Sequence, residues 1–89
     1  MSSRLKKNLF RLEACPKDYT WNELTAVMRG LGFVEAKGSG GSAVKFRHPD
    51  HPEQVVNLHK PHNRNPPTVL VVYLRKLVAR LKEWGYLDA

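Results

Sequence analysis

A glycine-rich segment, Gly38-Ser39-Gly40-Gly41-Ser42, runs into Ala43-Val44-Lys45-Phe46-Arg47-His48, and Leu58-His59-Lys60-Pro61-His62 follows shortly after. These residue types suit the holding and cutting of a polyanion. Cleaving RNA without a metal needs a base for the 2′-hydroxyl proton, an acid for the leaving oxygen and cations for the developing charge. Imidazole titrates near neutrality, so His59 is a candidate for proton transfer, and equally for a phosphate contact or a structural bond to the backbone. His59 and His62 have a spacing that can suit a metal, but two ligands without a neighbouring carboxylate or cysteine make a poor metal site. Ser42 and the glycines can present backbone amides to a phosphate, or simply form a hairpin loop. No P-loop lysine and no dinucleotide fingerprint accompanies them, so no cofactor is expected. His48 and His51 lie beside turn prolines and read as surface residues.

These side chains need elements to position them. Ala43 to His48 alternates as a strand, with Val44 and Phe46 on one side and Ala43, Lys45 and Arg47 on the other. Two cations about 6–7 Å apart along a strand match a phosphate repeat, although a plain solvated sheet face has the same pattern. Phe33 to Lys37 reads as the preceding strand. Pro49-Asp50-His51-Pro52 reads as a turn, and Gln54 to His59 as a third strand with Val56 and Leu58 inward and Asn57 and His59 outward.

Helices flank the strands. Thr20-Trp21-Asn22-Glu23 has the form of a capping box. Leu24, Val27, Met28 and Leu31 follow as an apolar stripe that ends at Gly30 or Gly32. After a polar, proline-containing connection over residues 62–67, Leu70, Tyr73, Leu74, Leu77, Leu81 and Trp84 mark a long final helix, stopped by Gly85. Asn65 before Pro66, or Thr68, is the expected cap. Leu5, Leu9, Leu12 and Phe10 suggest either a short N-terminal helix ended by Pro16 or a frayed basic tail. Hairpin-length connections make the strands antiparallel. The expected fold is α+β, helix–strand–strand–strand–helix, with the helices on one sheet face.

Length and charge bound the rest. Eighty-nine residues make a single domain, with residues 1–15 as a basic extension. Fifteen Lys and Arg oppose eight Asp and Glu, a net charge of +7 that attracts polyanions. No apolar run is long enough to span a bilayer, so no membrane partner is expected. Residues 1–7 lack the apolar stretch of a secretion signal. Cys15 is the lone cysteine and reads as a small buried or half-exposed residue. A cytoplasmic protein is the expectation.

Gly32-Phe33, Gly41-Ser42-Ala43-Val44-Lys45-Phe46, Leu58-His59-Lys60-Pro61-His62 and the apolar C-terminal helix resemble the HicA family of toxins. Pro16 to Leu24 resembles one branch of it, and the similarity spans residues from about 16 to 87. The resemblance implies a fold like a double-stranded-RNA-binding domain. It implies an mRNA endoribonuclease of a type II toxin–antitoxin module, acting without metal through a histidine, with mRNA as substrate and a HicB-like antitoxin as partner. The family's catalytic histidine falls on Ala43. The chain is then a form with its imidazole removed, by deliberate substitution or by natural loss.

On that reading Lys45 and Arg47 position phosphates and Ser42 sets the backbone. His59, Lys60 and His62 assist in binding or catalysis. Two other readings stay open: a non-catalytic RNA-binding module of the same fold, and an interaction protein whose sheet face docks an acidic protein.

Overall fold

The computed structural model describes residues 3–38 and 40–88; Ser39 of the glycine-rich turn, Met1, Ser2 and Ala89 lie outside the described residues. The order is α1 (Ser3–Glu13), α2 (Trp21–Gly30), β1 (Val34–Lys37), β2 (Ala43–His48), β3 (His51–His59) and α3 (Val71–Glu83). The three strands form one antiparallel sheet in the order β1-β2-β3. This is the expected α+β layout with a further helix in front.

The sheet has a dry face and a wet face. Phe46, Val56 and Leu58 are buried and share the core with Leu24, Val27, Met28, Leu74, Leu77 and Leu81 of the helices. Lys45, Arg47, Asn57 and His59 on the opposite side are exposed. The period-two alternation of β2 therefore sorts its side chains as the sequence implies. Trp21 at the start of α2 packs on Phe46 with ring centroids 6.1 Å apart.

The N-terminal segment is a helix and not a frayed tail. Leu9 and Leu12 are buried, whereas Phe10, on the other side of α1, is 81% exposed. Polar bonds tie α1 to the entry of α2. Arg11 Nε donates to Glu23 Oε2 at 2.7 Å, and Asn8 Nδ2 donates to the Glu23 carbonyl at 3.0 Å. Tyr19 Oη donates to Asn8 Oδ1 at 2.6 Å. The capping box forms as read: the Glu23 amide donates to Thr20 Oγ1 at 3.1 Å, and the Thr20 amide donates to Glu23 Oε1 at 3.0 Å.

The start of α3 differs from the expectation. Neither Asn65 nor Thr68 caps it; Leu70 occupies the N-cap position without a side-chain bond. Thr68 is instead drawn into a bridge with Thr20, where the Trp21 amide donates to the Pro67 carbonyl at 2.9 Å and the Val69 amide to the Tyr19 carbonyl at 2.8 Å. The segments leading into α2 and α3 are thereby clipped together. Leu70 loses its place on the apolar face and is 54% exposed, and Tyr73 is 40% exposed, while Val78 joins the core.

β3 also starts earlier than expected, at His51, because His48 pairs with His51 across a tight turn of Pro49 and Asp50. Pro52 is tolerated there because β3 is an edge strand. His48 is half-buried and packed, not a freely exposed surface residue. Its ring meets Phe33 edge-on at 5.2 Å and stacks with Tyr86 at 6.4 Å. Gly32, with φ +97°, leaves room for it: a Cβ there would stand 2.8 Å from His48 Nε2.

Candidate nucleic-acid interface

The site is built on the wet face of the sheet. Register places Ala43 opposite His59, Lys45 between Ala36 and Asn57, and Arg47 between Val34 and Val55. Ala36 beside Lys45 is small, Val34 beside Arg47 is itself exposed, and both cationic side chains are open to solvent. Among the described residues Lys45, Arg47, Lys60 and His62 make no ion pair. The charges of Lys45, Arg47 and Lys60 are thus free to act on a polyanion.

Position 43 is an open slot. Ala43 is half-buried and faces away from the helices, with Lys45 and Arg47 along its own strand. On one side stands His59. On the other stands Gly38, whose amide donates to the Ala43 carbonyl at 3.0 Å. A Cβ at Gly38 would lie 2.9 Å from the Ala43 methyl. Glycine at 38 therefore keeps the β1 side clear, and a larger side chain at 43 has room to lie across it.

The loop that presents this slot is held by its backbone. The Ala43 amide donates to the Gly40 carbonyl at 2.9 Å, and the Lys60 amide donates to the Ser42 carbonyl at 2.9 Å. Ser42, directly before β2, is half-buried; its neighbour across the sheet is Lys60.

The anticipated residues divide over two surfaces. Ala43, Lys45, Arg47 and His59 share the wet sheet face. Ser42, Lys60 and His62 gather around an open depression of about 550 Å³ at the end of the sheet, which Ala43 also borders. Glu35 and Lys37 of β1 line the same depression. Nothing in the local sequence marks these two as site residues. Their only signal is the pairing Lys37–Val44 and Glu35–Phe46, a long-range register that periodicity within one strand does not contain. Asn57, outward on β3, stands directly beside Lys45 and so joins the site. Among the described residues no three His, Cys, Asp or Glu side chains come together in a way that could hold a metal ion.

The family model for the HicA toxin of bacterial toxin–antitoxin systems matches residues 21–82. The chain belongs to the HicA toxin family. No curated protein and no solved structure matches it. The HicA match starts at α2 and runs almost to the end of α3, so it contains the sheet, the slot at Ala43 and both surfaces around it, while α1 precedes it. As a HicA toxin the chain is the toxin member of a toxin–antitoxin system and pairs with an antitoxin. Among the described residues no helix is long and apolar enough to cross a membrane.

Proposed function

We propose that the wet face of the sheet is an RNA-binding surface, and that position 43 is where an acid–base imidazole belongs for cleaving mRNA. Lys45 and Arg47 bind consecutive phosphates. Ser42, Lys60 and His62 hold the strand where it passes over the end of the sheet. With histidine at 43, two imidazoles would face each other across β2 and β3. One removes the 2′-hydroxyl proton as that oxygen attacks phosphorus. The other protonates the departing 5′-oxygen, leaving a cyclic phosphate and a free 5′-hydroxyl. The two cations offset the charge on the pentacoordinate phosphate.

The observation that carries this reading is the open setting of Ala43, beside free cations and opposite His59. The chain as it stands has a methyl group there and no proton to move, so it binds RNA without efficient turnover. The antitoxin acts by keeping RNA from this face.

Restoring the imidazole tests the proposal. Bacteria expressing Ala43→His protein without an antitoxin should stop growing and accumulate mRNA fragments with cyclic-phosphate ends. Normal growth and intact mRNA at equal protein levels would overturn the enzymatic reading.

A second reading draws on the alanine itself: a HicA-fold module that binds RNA without cutting it. It predicts tight, salt-sensitive RNA binding with no cleavage by either form.

A further inference from the structure

The sheet ends at β3, and no strand among the described residues pairs with its far edge. The Lys60 amide donates to the Ser42 carbonyl on β2. Antiparallel bonding alternates, so positions 58 and 56 also face β2, while the N–H and C=O groups of Val55, Asn57 and His59 face outward. Edge strands are commonly protected by proline, by charge or by a covering element. Here Pro52 and Glu53 guard the start of β3, and Val55 to His59 have no such guard.

A groove runs alongside this edge, between β3 and α3. One part, of about 290 Å³, is lined by Asn57, Tyr73, Lys76 and Arg80 with neighbouring apolar residues. Its continuation, of about 140 Å³, is lined by His59, Leu70 and Tyr73. The two meet at Tyr73. Lys76 and Arg80 lie one turn apart on the same side of α3 and are exposed. Among the described residues Lys76 has no ion pair, and Arg80 has only a long one, 3.9 Å to Glu83.

We propose that an extended, acidic segment of the antitoxin docks here as a fourth strand, pairing its backbone with Val55, Asn57 and His59. Its acidic side chains meet Lys76 and Arg80, and its apolar ones cover Leu70 and Tyr73. An outward row that alternates donors and acceptors at strand spacing is matched by another strand. A nucleic-acid backbone offers mainly acceptors and leaves the carbonyls unpaired. The docked strand runs past His59 and so lies against the border of the RNA face. The proposal rests on the toxin–antitoxin pairing of the family and does not need the RNA face to be catalytic.

The test is amide mapping by NMR of the full chain, titrated with octapeptides in which every second residue, the set that faces α3, is glutamate in one half and valine in the other with threonine between, made in both chain orders. Saturable shifts at Val55, Asn57, Tyr73 and Lys76, with slowed exchange of the Val55 and Asn57 amides, are expected. Lys76→Glu combined with Arg80→Glu should weaken binding by about tenfold or more. Asn57→Pro, which removes an outward N–H and no ladder bond, should abolish it with the rest of the spectrum intact. Should Asn57→Pro fail to fold, the charge reversal on α3 still decides. Absence of saturable binding overturns the proposal. So does binding centred on Lys45 and Arg47, or the same edge shifts produced by a single-stranded RNA oligonucleotide in place of the peptide. Failure of RNA binding at Lys45 and Arg47 is read from different amides, and would contradict the function proposed above while leaving this one standing.

Discussion

Ala43 on β2 and His59 on β3 are cross-strand partners on the wet face of the sheet. The Ser42–Lys60 bond beside them puts this pair at a position without ladder bonds, where facing Cβ atoms approach to about 4.5–5.5 Å. An imidazole at 43 would therefore share its space with His59 and meet no side chain on its other flank, where Gly38 stands just after β1.

Adjacent residues on β2 should fail in opposite ways. Lys45→Ala and Arg47→Ala remove exposed cations and nothing from the core. Each should leave the melting temperature unchanged, weaken single-stranded RNA binding several-fold, and reduce the slope of log K against log salt by about 0.7. Phe46→Ala empties a fully buried site against Trp21. It should cost about 3–5 kcal/mol in denaturant unfolding, a large share of what a small domain has. Equal stability losses at 45 and 46 would contradict the two-faced sheet.

Gly38 should not accept a side chain. Gly38→Ala brings its Cβ to 2.9 Å from the Ala43 methyl and 3.2 Å from the Ala43 carbonyl carbon. Backbone must move, so a loss of about 1–3 kcal/mol is expected in thermal unfolding. The loss should grow when histidine occupies position 43. An unchanged melting temperature in both backgrounds would mean that the slot is wider than the geometry here.

Stability should fall in acid through Glu23. Partial burial alone would raise its carboxyl pKa, but the bonds from Arg11 and from the amide and hydroxyl of Thr20 outweigh it and hold it below the ordinary value of 4.5. A carboxylate depressed in the folded state adds stability above its unfolded pKa. That contribution is lost as pH falls from about 4.5 through the folded value. Unfolding free energy measured from pH 6 to pH 3 should decline, and Glu23→Gln should flatten part of that decline. The partners are partly exposed, so the effect should stay near about 1 kcal/mol. A variant with the same acid profile as the parent would remove Glu23 from this role.

Much of the site was legible because its information is local. Alternation in Ala43 to His48 gives the faces, and the Thr20–Glu23 spacing gives the entry to α2. What escaped depends on distant partners. Thr68 looked like a helix cap because nothing near it in sequence reveals its bridge to Thr20. His48 looked exposed beside Pro49, yet Phe33 and Tyr86 enclose it from other parts of the chain. Lys37 and Glu35 reach the depression only through their pairing with β2, and Pro52 reads as a strand breaker although an edge strand such as β3 tolerates it.

The central claim is that the slot at position 43 faces RNA and lacks only its proton carrier. The most direct measurement is the single-turnover cleavage rate of a single-stranded RNA by purified Ala43→His protein in excess chelator, compared with the unaltered chain. An increase of about 10²–10⁴ is predicted, the usual worth of a positioned acid–base group. Equal rates from two proteins that fold and bind RNA alike would contradict it.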